Sequence, residues 1–396
     1  MKATMIDVEQ LTQRALGLLD RLVAFDTTSR HSNLELIAFA EDHLKASGAS
    51  LRRVNNADGS KANLIGCIGP QIDGGALLSG HTDVVPVDGQ PWTSDPFTVT
   101  LRDGRLYGRG TADMKGFLAL AMAAAPDLAA RPLARPVQFA FSYDEEVGCL
   151  GAPGLIEALV RDGPRPDVVI VGEPTSMEAV SGHKGIATFK VTVTGHEAHS
   201  SLTHLGVSAV MAAAELMGEL VQLAAALERE ADAASPFLPR GASLTIGQVR
   251  GGTAVNILAR ECVFMFDLRS PPGLDPQQAL QGFFEHAARM DIELRARAPE
   301  AGVRVEARSS TPPMAPEADG RAEALARRLA GDNGPARVVS YAAEAGQFQN
   351  AGFSTVICGP GSIEQAHQPD EYIDVSQMQR GAAFMARLVE ALGAES

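Results

Sequence analysis

Only four cysteines occur in the 396 residues, Cys67, Cys149, Cys262 and Cys358, far apart and with no Cys-x-x-Cys pair. That spacing argues against a disulfide framework and fits reduced thiols in a cytoplasmic protein. Cationic side chains are also in short supply: 34 Lys and Arg stand against 48 Asp and Glu, a net charge of -14. Nucleic acid and anionic membrane both need a basic face, so neither is expected as a partner. No apolar window of about 18 residues occurs, and Met1-Lys2-Ala3-Thr4-Met5-Ile6-Asp7 has no cationic region followed by an apolar run. Neither a spanning helix nor a signal peptide is expected. The single tryptophan, Trp92, lies in the loop-rich stretch 86–103 and reads as a loop anchor in preference to a cleft wall.

What is present is a globular composition, 45% hydrophobic and 21% charged, on a chain too long for one ordinary core. Helical spacing at Val8, Leu11, Ala15, Leu18 and Leu22 opens the chain, and a second helix follows Asn33. Short apolar strands then alternate with helices to about residue 184, which predicts an α/β fold: a mostly parallel sheet with helices on both faces. From 185 the order becomes strand, helix, strand, strand, helix, strand, the split βαβ (ferredoxin-like) pattern of a small α+β domain. Helix and strand alternation then resumes, so the expectation is a discontinuous first domain, 1–184 and 299–396, interrupted by an insertion at 185–298.

The strands of the first domain end in unusual residues. Leu77-Leu78-Ser79-Gly80 delivers His81-Thr82-Asp83, and residues two apart on a strand share a side, so Asp83 is expected to reach back to the His81 imidazole and fix its tautomer. A satisfied histidine beside a capping aspartate is the alternative. Residues 137–142 run into Asp144-Glu145-Glu146, carboxylates that repel one another unless something positive neutralises them. Adjacent strand residues point opposite ways, so one of Glu145 and Glu146 can ligate a metal while the other faces water; a solvated acidic turn is the alternative. Residues 168–171 deliver Gly172-Glu173-Pro174-Thr175. The run Gly108-Arg109-Gly110-Thr111-Ala112-Asp113 places a carboxylate where a phosphate loop needs glycine, so a nucleotide reading fails and a cation is favoured. With His367 these residues form a mixed imidazole and carboxylate set, larger than one tetrahedral ion with an open position uses, which points to two metals sharing a bridging carboxylate.

These motifs, together with Gly195-His196-Glu197-Ala198-His199-Ser200 and the run from Gly359 to Glu371, resemble the M20 metallopeptidase-like amidohydrolases over nearly the whole chain. The resemblance implies that Asp113 bridges two divalent ions, Zn²⁺ or Co²⁺, with His81 and Glu173 completing one site and Glu146 and His367 the other. It further implies that Glu145 is the general base, that a cis peptide follows Asp113, and that the insertion is a lid through which two copies form a homodimer. His199 is expected to reach the partner's site and stabilise an oxyanion, a surface histidine being the alternative. Asn256, Arg269 and Lys184 are expected near the substrate, although Arg269 is equally suited to pairing within the small domain.

Within that family the wording of 113–117, 182–185 and 359–372 is most similar to the acetylornithine deacetylase branch, which implies hydrolysis of the amide of an Nα-acyl amino acid. Deacetylation of N-acetylcitrulline, desuccinylation of N-succinyl-diaminopimelate and peptide hydrolysis are the neighbouring activities. A non-catalytic binding protein is the alternative of a different class.

Overall fold

The computed structural model describes residues 6–394; residues 1–5, on which the leader expectation partly rests, lie outside the described residues. The chain divides into two compact units, Met1–Gly182 with Met314–Arg337 and Ala343–Ser396, and His183–Pro313 with Val338–Ala342. The inserted unit therefore runs past the expected boundary at 298. The strand Gly302–Thr311 pairs along its length with Gly185–Thr194, which ties it to the insertion's own sheet.

The first unit is built on a six-stranded sheet in the spatial order Ser50–Asn55, Ala62–Ile68, Val137–Ser142, Ala76–His81, Val168–Pro174, Ser354–Gly359. Three neighbouring pairs are parallel, and Ala62–Ile68 runs against both of its partners. All of these strands but the first are buried along their length, which is why they read as continuous apolar runs. The helix Gly116–Ala129 is apolar nearly all round and accordingly buried, packed with the amphipathic helices Val8–Val23 and Val375–Leu392 into one core. Parallel strands align their carboxyl ends, so His81, residues 144–146, Glu173 and the segment after Gly359 emerge on one side of the sheet.

A small antiparallel sheet, Thr100–Arg102, Arg105–Tyr107 and Tyr372–Asp374, arises in a stretch that reads as loop. Its strands are three residues each, too short to leave a period-2 pattern.

The inserted unit is a four-stranded antiparallel sheet, ordered Ser243–Gly251, Glu261–Ser270, Gly185–Thr194, Gly302–Thr311, with helices Ala209–Arg229 and Gln281–Arg297. Gly185–Thr194 alternates buried and half-buried residues, and Val191, Val193, Phe264 and Phe266 pack against Leu216, Leu220, Phe283 and Met290. By length and composition Ala209–Arg229 is apolar enough to cross a membrane, contrary to the sequence expectation. Its alanines and leucines instead pack on the sheet through Ala209, Ala212, Ala213, Leu216 and Leu220.

Candidate active site

Six side chains from five chain segments of the first unit converge. His81, at the end of its strand and fully buried, directs Nε2 to Asp113 Oδ1 at 3.0 Å and lies 3.8 Å from Glu173 Oε1. His367 brings its Nε2 to 3.3 Å from Asp113 Oδ2 and 3.0 Å from Glu146 Oε2. Asp113 thus stands between two imidazoles with one carboxylate oxygen toward each. Ligand atoms of His81, Asp113 and Glu146 fall within 4.8 Å of one another, and so do those of His81, Glu145 and Glu173.

Local structure explains the convergence. Asp113 lies in a tight five-residue turn, Thr111–Lys115, at the start of the buried helix, and the Asp113–Met114 peptide is cis. Glu173 follows a glycine that must be a glycine: a Cβ on Gly172 would sit 2.0 Å from the ring of Phe117. That contact lets the helix beginning at Gly116 lie against the strand carrying Glu173.

The tautomer of His81 is set differently from the sequence expectation. Nδ1–H donates to the backbone carbonyl of Asp83 at 2.9 Å, while the Asp83 carboxylate is 3.7 Å away. That carboxylate accepts from Ser29 Oγ at 2.6 Å and from the amides of Glu145 and Glu146 at 3.1 and 3.3 Å. Backbone amides are obligatory donors, and three of them or their equivalents outcompete one ring nitrogen for the same carboxylate. Asp83 therefore shapes the turn carrying Glu145 and Glu146, and only its carbonyl orients His81.

The electrostatics describe a site short of positive charge. Burial, with Asp113 and the other carboxylates adding to it, pushes Glu145, Glu146 and Glu173 well above the usual carboxylate range. Burial acts the same way on Asp113, but hydrogen bonds from His367 and His81 outweigh it and hold that carboxyl low. The carboxylates of Asp113 and Glu146 lift His367 to about 10. Glu146 Oε1 and Glu173 Oε1 are buried with no hydrogen-bond partner. Orphaned carboxylate oxygens beside two oriented imidazoles fit divalent cations, because protons and imidazolium charge are what a cation would displace.

Asp83 apart, the remaining candidates lie in the inserted unit. His199 is exposed; its Nδ1 accepts from the Ser201 amide at 3.2 Å, so the ring proton sits on Nε2. A backbone bridge to Ile257 and the Ser200 N to Asn256 O bond at 3.0 Å set His199 beside the loop carrying Asn256. Arg269 pairs with Asp267 at 3.2 Å on its own strand. Lys184 is buried and donates to the carbonyls of Pro239 and Gly241, both at 2.6 Å, so its ammonium is held by backbone.

Two carboxylates near the centre went without a role in the sequence. Glu371 accepts from the amides of Ala112 and Asp113 and pairs with buried Arg109. Glu344 takes Ser79 Oγ at 2.6 Å and Ser142 Oγ at 2.8 Å, joining the strands that lead to His81 and to Glu145. Glu371 and Arg109 stand inside recognised motif runs; nothing local marks Glu344.

The family model described as peptidase family M20/M25/M40 matches residues 77–391. The chain belongs to this family. Among curated relatives of this M20 hydrolase, acetylornithine deacetylase of Myxococcus xanthus is 36% identical, covering 94% of this chain and 95% of the relative. That of Photorhabdus laumondii is 35% identical, with 95% of each covered. Among solved structures, an M20 family metallo-carboxypeptidase from Sulfolobus solfataricus superposes with a TM-score of 0.75 at 17% identity, over 95% of this chain and 98% of that one. A dinuclear metal-binding M20 peptidase from Bacillus subtilis gives 0.64 at 16%, over 97% and 99%. These likenesses carry the M20 fold, the mostly parallel sheet with a separate antiparallel domain.

Proposed function

We propose that this M20 hydrolase cleaves the amide bond of Nα-acyl amino acids, with N-acetylornithine, split to ornithine and acetate, as its leading substrate. The observation that carries the reading is Asp113 held between His81 and His367 with Glu145 beside them. The two deacetylase relatives, aligned over about 95% of the chain, support the substrate class.

His81 and Glu173 would hold one divalent cation, Glu146 and His367 a second, with Asp113 shared; zinc is the leading candidate and cobalt a competent substitute. Such a pair, when bound, polarises the amide carbonyl and acidifies water. Glu145 is the general base: it removes a proton from the attacking water and returns it to the leaving nitrogen as the C–N bond breaks. Its amide is fixed by Asp83, and Cys149 Sγ donates to its Oε1 at 3.2 Å, so the carboxyl is oriented before substrate arrives. His199, with its proton on Nε2, is a donor suited to the developing oxyanion.

A homodimer through the inserted unit accompanies this reading. Val210, Met211 and Val221 are exposed on the helix Ala209–Arg229, and the edge strand Ser243–Gly251 is largely exposed. Apolar helix surface and an unpaired strand edge in one unit both favour pairing with a second copy.

Metal-free protein should be assayed with and without added Zn²⁺ or Co²⁺ on N-acetylornithine, N-acetylcitrulline, N-succinyl-diaminopimelate and a dipeptide. Metal-dependent release of acetate, fastest from N-acetylornithine, is expected. Stoichiometric binding of acylated amino acids without hydrolysis by metal-loaded protein would overturn the proposal.

A further inference from the structure

The two histidines of the centre are unequally supported. His81 ends a buried strand, whereas His367 lies on a loop with its side chain 51% exposed and its backbone at φ +62°, in the left-handed region that non-glycine residues adopt at a cost. An exposed loop residue in a disfavoured conformation needs tethers to hold one position, because ordering it loses conformational entropy.

The tethers form a circuit of hydrogen bonds within the first unit. Gln90 Nε2 donates to the His367 carbonyl at 3.0 Å. Gln90 Oε1 accepts from Arg109 Nη2 at 2.6 Å and from the Trp92 indole N–H at 3.0 Å. The guanidinium of Arg109 stacks over the Trp92 ring at 5.1 Å and donates through Nη1 to Glu371 Oε2 at 2.6 Å. Glu371 Oε1 accepts from the amides of Ala112 and Asp113 at 2.9 and 3.1 Å. A parallel tie runs from Asp370, whose carboxylate takes the amide and hydroxyl of Thr93, both at 2.9 Å. The backbone of Asp113 and the backbone of His367 are thus connected through three side chains, two of them buried with their charges paired.

We infer that Gln90, Arg109 and Glu371 are positioning residues that fix the separation of Asp113 from His367 and so set affinity for the cation at the Glu146 and His367 end. This rests on the two-cation reading above. Gln90 is the member to change, since it is only half-buried and carries no charge. Removing Arg109 or Glu371 would strand its partner's charge in the interior and endanger the fold.

Metal-free wild type and Gln90→Met, which keeps the volume and loses all three side-chain hydrogen bonds, should be titrated calorimetrically with Co²⁺. The wild type is expected to take up two ions. Gln90→Met should keep one step unchanged and weaken the other about 10-fold or more, the range seen when a ligand's supporting partner is lost. Its turnover should fall at limiting Co²⁺ and recover in excess, which a packing defect would not do. Two unchanged binding steps overturn the positioning role. A wild type that binds no divalent ion overturns the proposed function instead. If Gln90→Met melts below the assay temperature, Gln90→Leu, which likewise offers neither donor nor acceptor to His367, Arg109 and Trp92, takes its place under the same criteria.

Discussion

His81 and Asp83 are joined through backbone: Nδ1 of the imidazole donates to the Asp83 carbonyl at 2.9 Å, and the carboxylate of Asp83 serves Ser29, Glu145 and Glu146 instead. One residue thereby orients a histidine with its main chain and a turn of carboxylates with its side chain.

Asp83→Asn separates these two duties. The carbonyl and the His81 tautomer remain, but an amide nitrogen replaces one oxygen that accepts from Ser29 and the Glu146 amide. Turnover should fall about 10–100-fold with the metal content unchanged. Steady-state kinetics beside elemental analysis checks this, and a protein that has lost metal would contradict it.

Glu145→Gln keeps the size of the side chain and its contact with Cys149 while removing the proton acceptor. Losing a general base costs about 10²–10⁴-fold. Expected is a folded protein with its full metal complement and a kcat reduced by that factor, measured with N-acetylornithine; near-normal kcat would remove Glu145 from the role.

Gly172→Ala should destabilise without touching the chemistry directly. Its Cβ would overlap the Phe117 ring at 2.0 Å, and overpacking of this kind costs about 1–3 kcal/mol. A lower denaturation midpoint with an unchanged slope is the expected result.

His183 supplies a dependence on pH. Burial presses this imidazole down to about 4 from an ordinary 6.5. Between those values the unfolded chain binds a proton that the folded chain refuses, so stability is lost as pH falls from 6.5 toward 4. The full effect of one such group is on the order of 3 kcal/mol. His183→Asn should flatten the stability curve in that window relative to wild type, as measured by urea unfolding at a series of pH values; equal slopes would assign the acid sensitivity elsewhere.

Much of this was legible from strand ends. Apolar runs 76–81, 137–142 and 168–174 announce a buried sheet, and the His, Glu and Asp residues that terminate them announce a site, because both signals are local. What escaped was non-local or very short. Glu344 reaches Ser79 across 265 positions and Arg109 reaches Glu371 across 262, pairings that leave no periodicity to read. The three-residue strands beside the site had no pattern to show, and the boundary at 298 stopped short of the last strand of the insertion's own strand and helix order, which pairs with Gly185–Thr194 as far as Thr311. The Asp83 carboxylate was expected on the imidazole because strand periodicity ignores amides that arrive from a later turn.

The interruption of the first unit has a bearing on how the chain matures. Val168–Pro174 must wait for Ser354–Gly359 as its parallel neighbour, and the whole insertion is synthesised between them. Loop closure over that span delays the last edge of the sheet, while the insertion, built from antiparallel neighbours, is able to fold as its own unit in the interval. Since His367 follows that edge, both imidazoles exist in one molecule only once the insertion and the last strand of the sheet have been made, and a chain terminated before then would carry His81 alone.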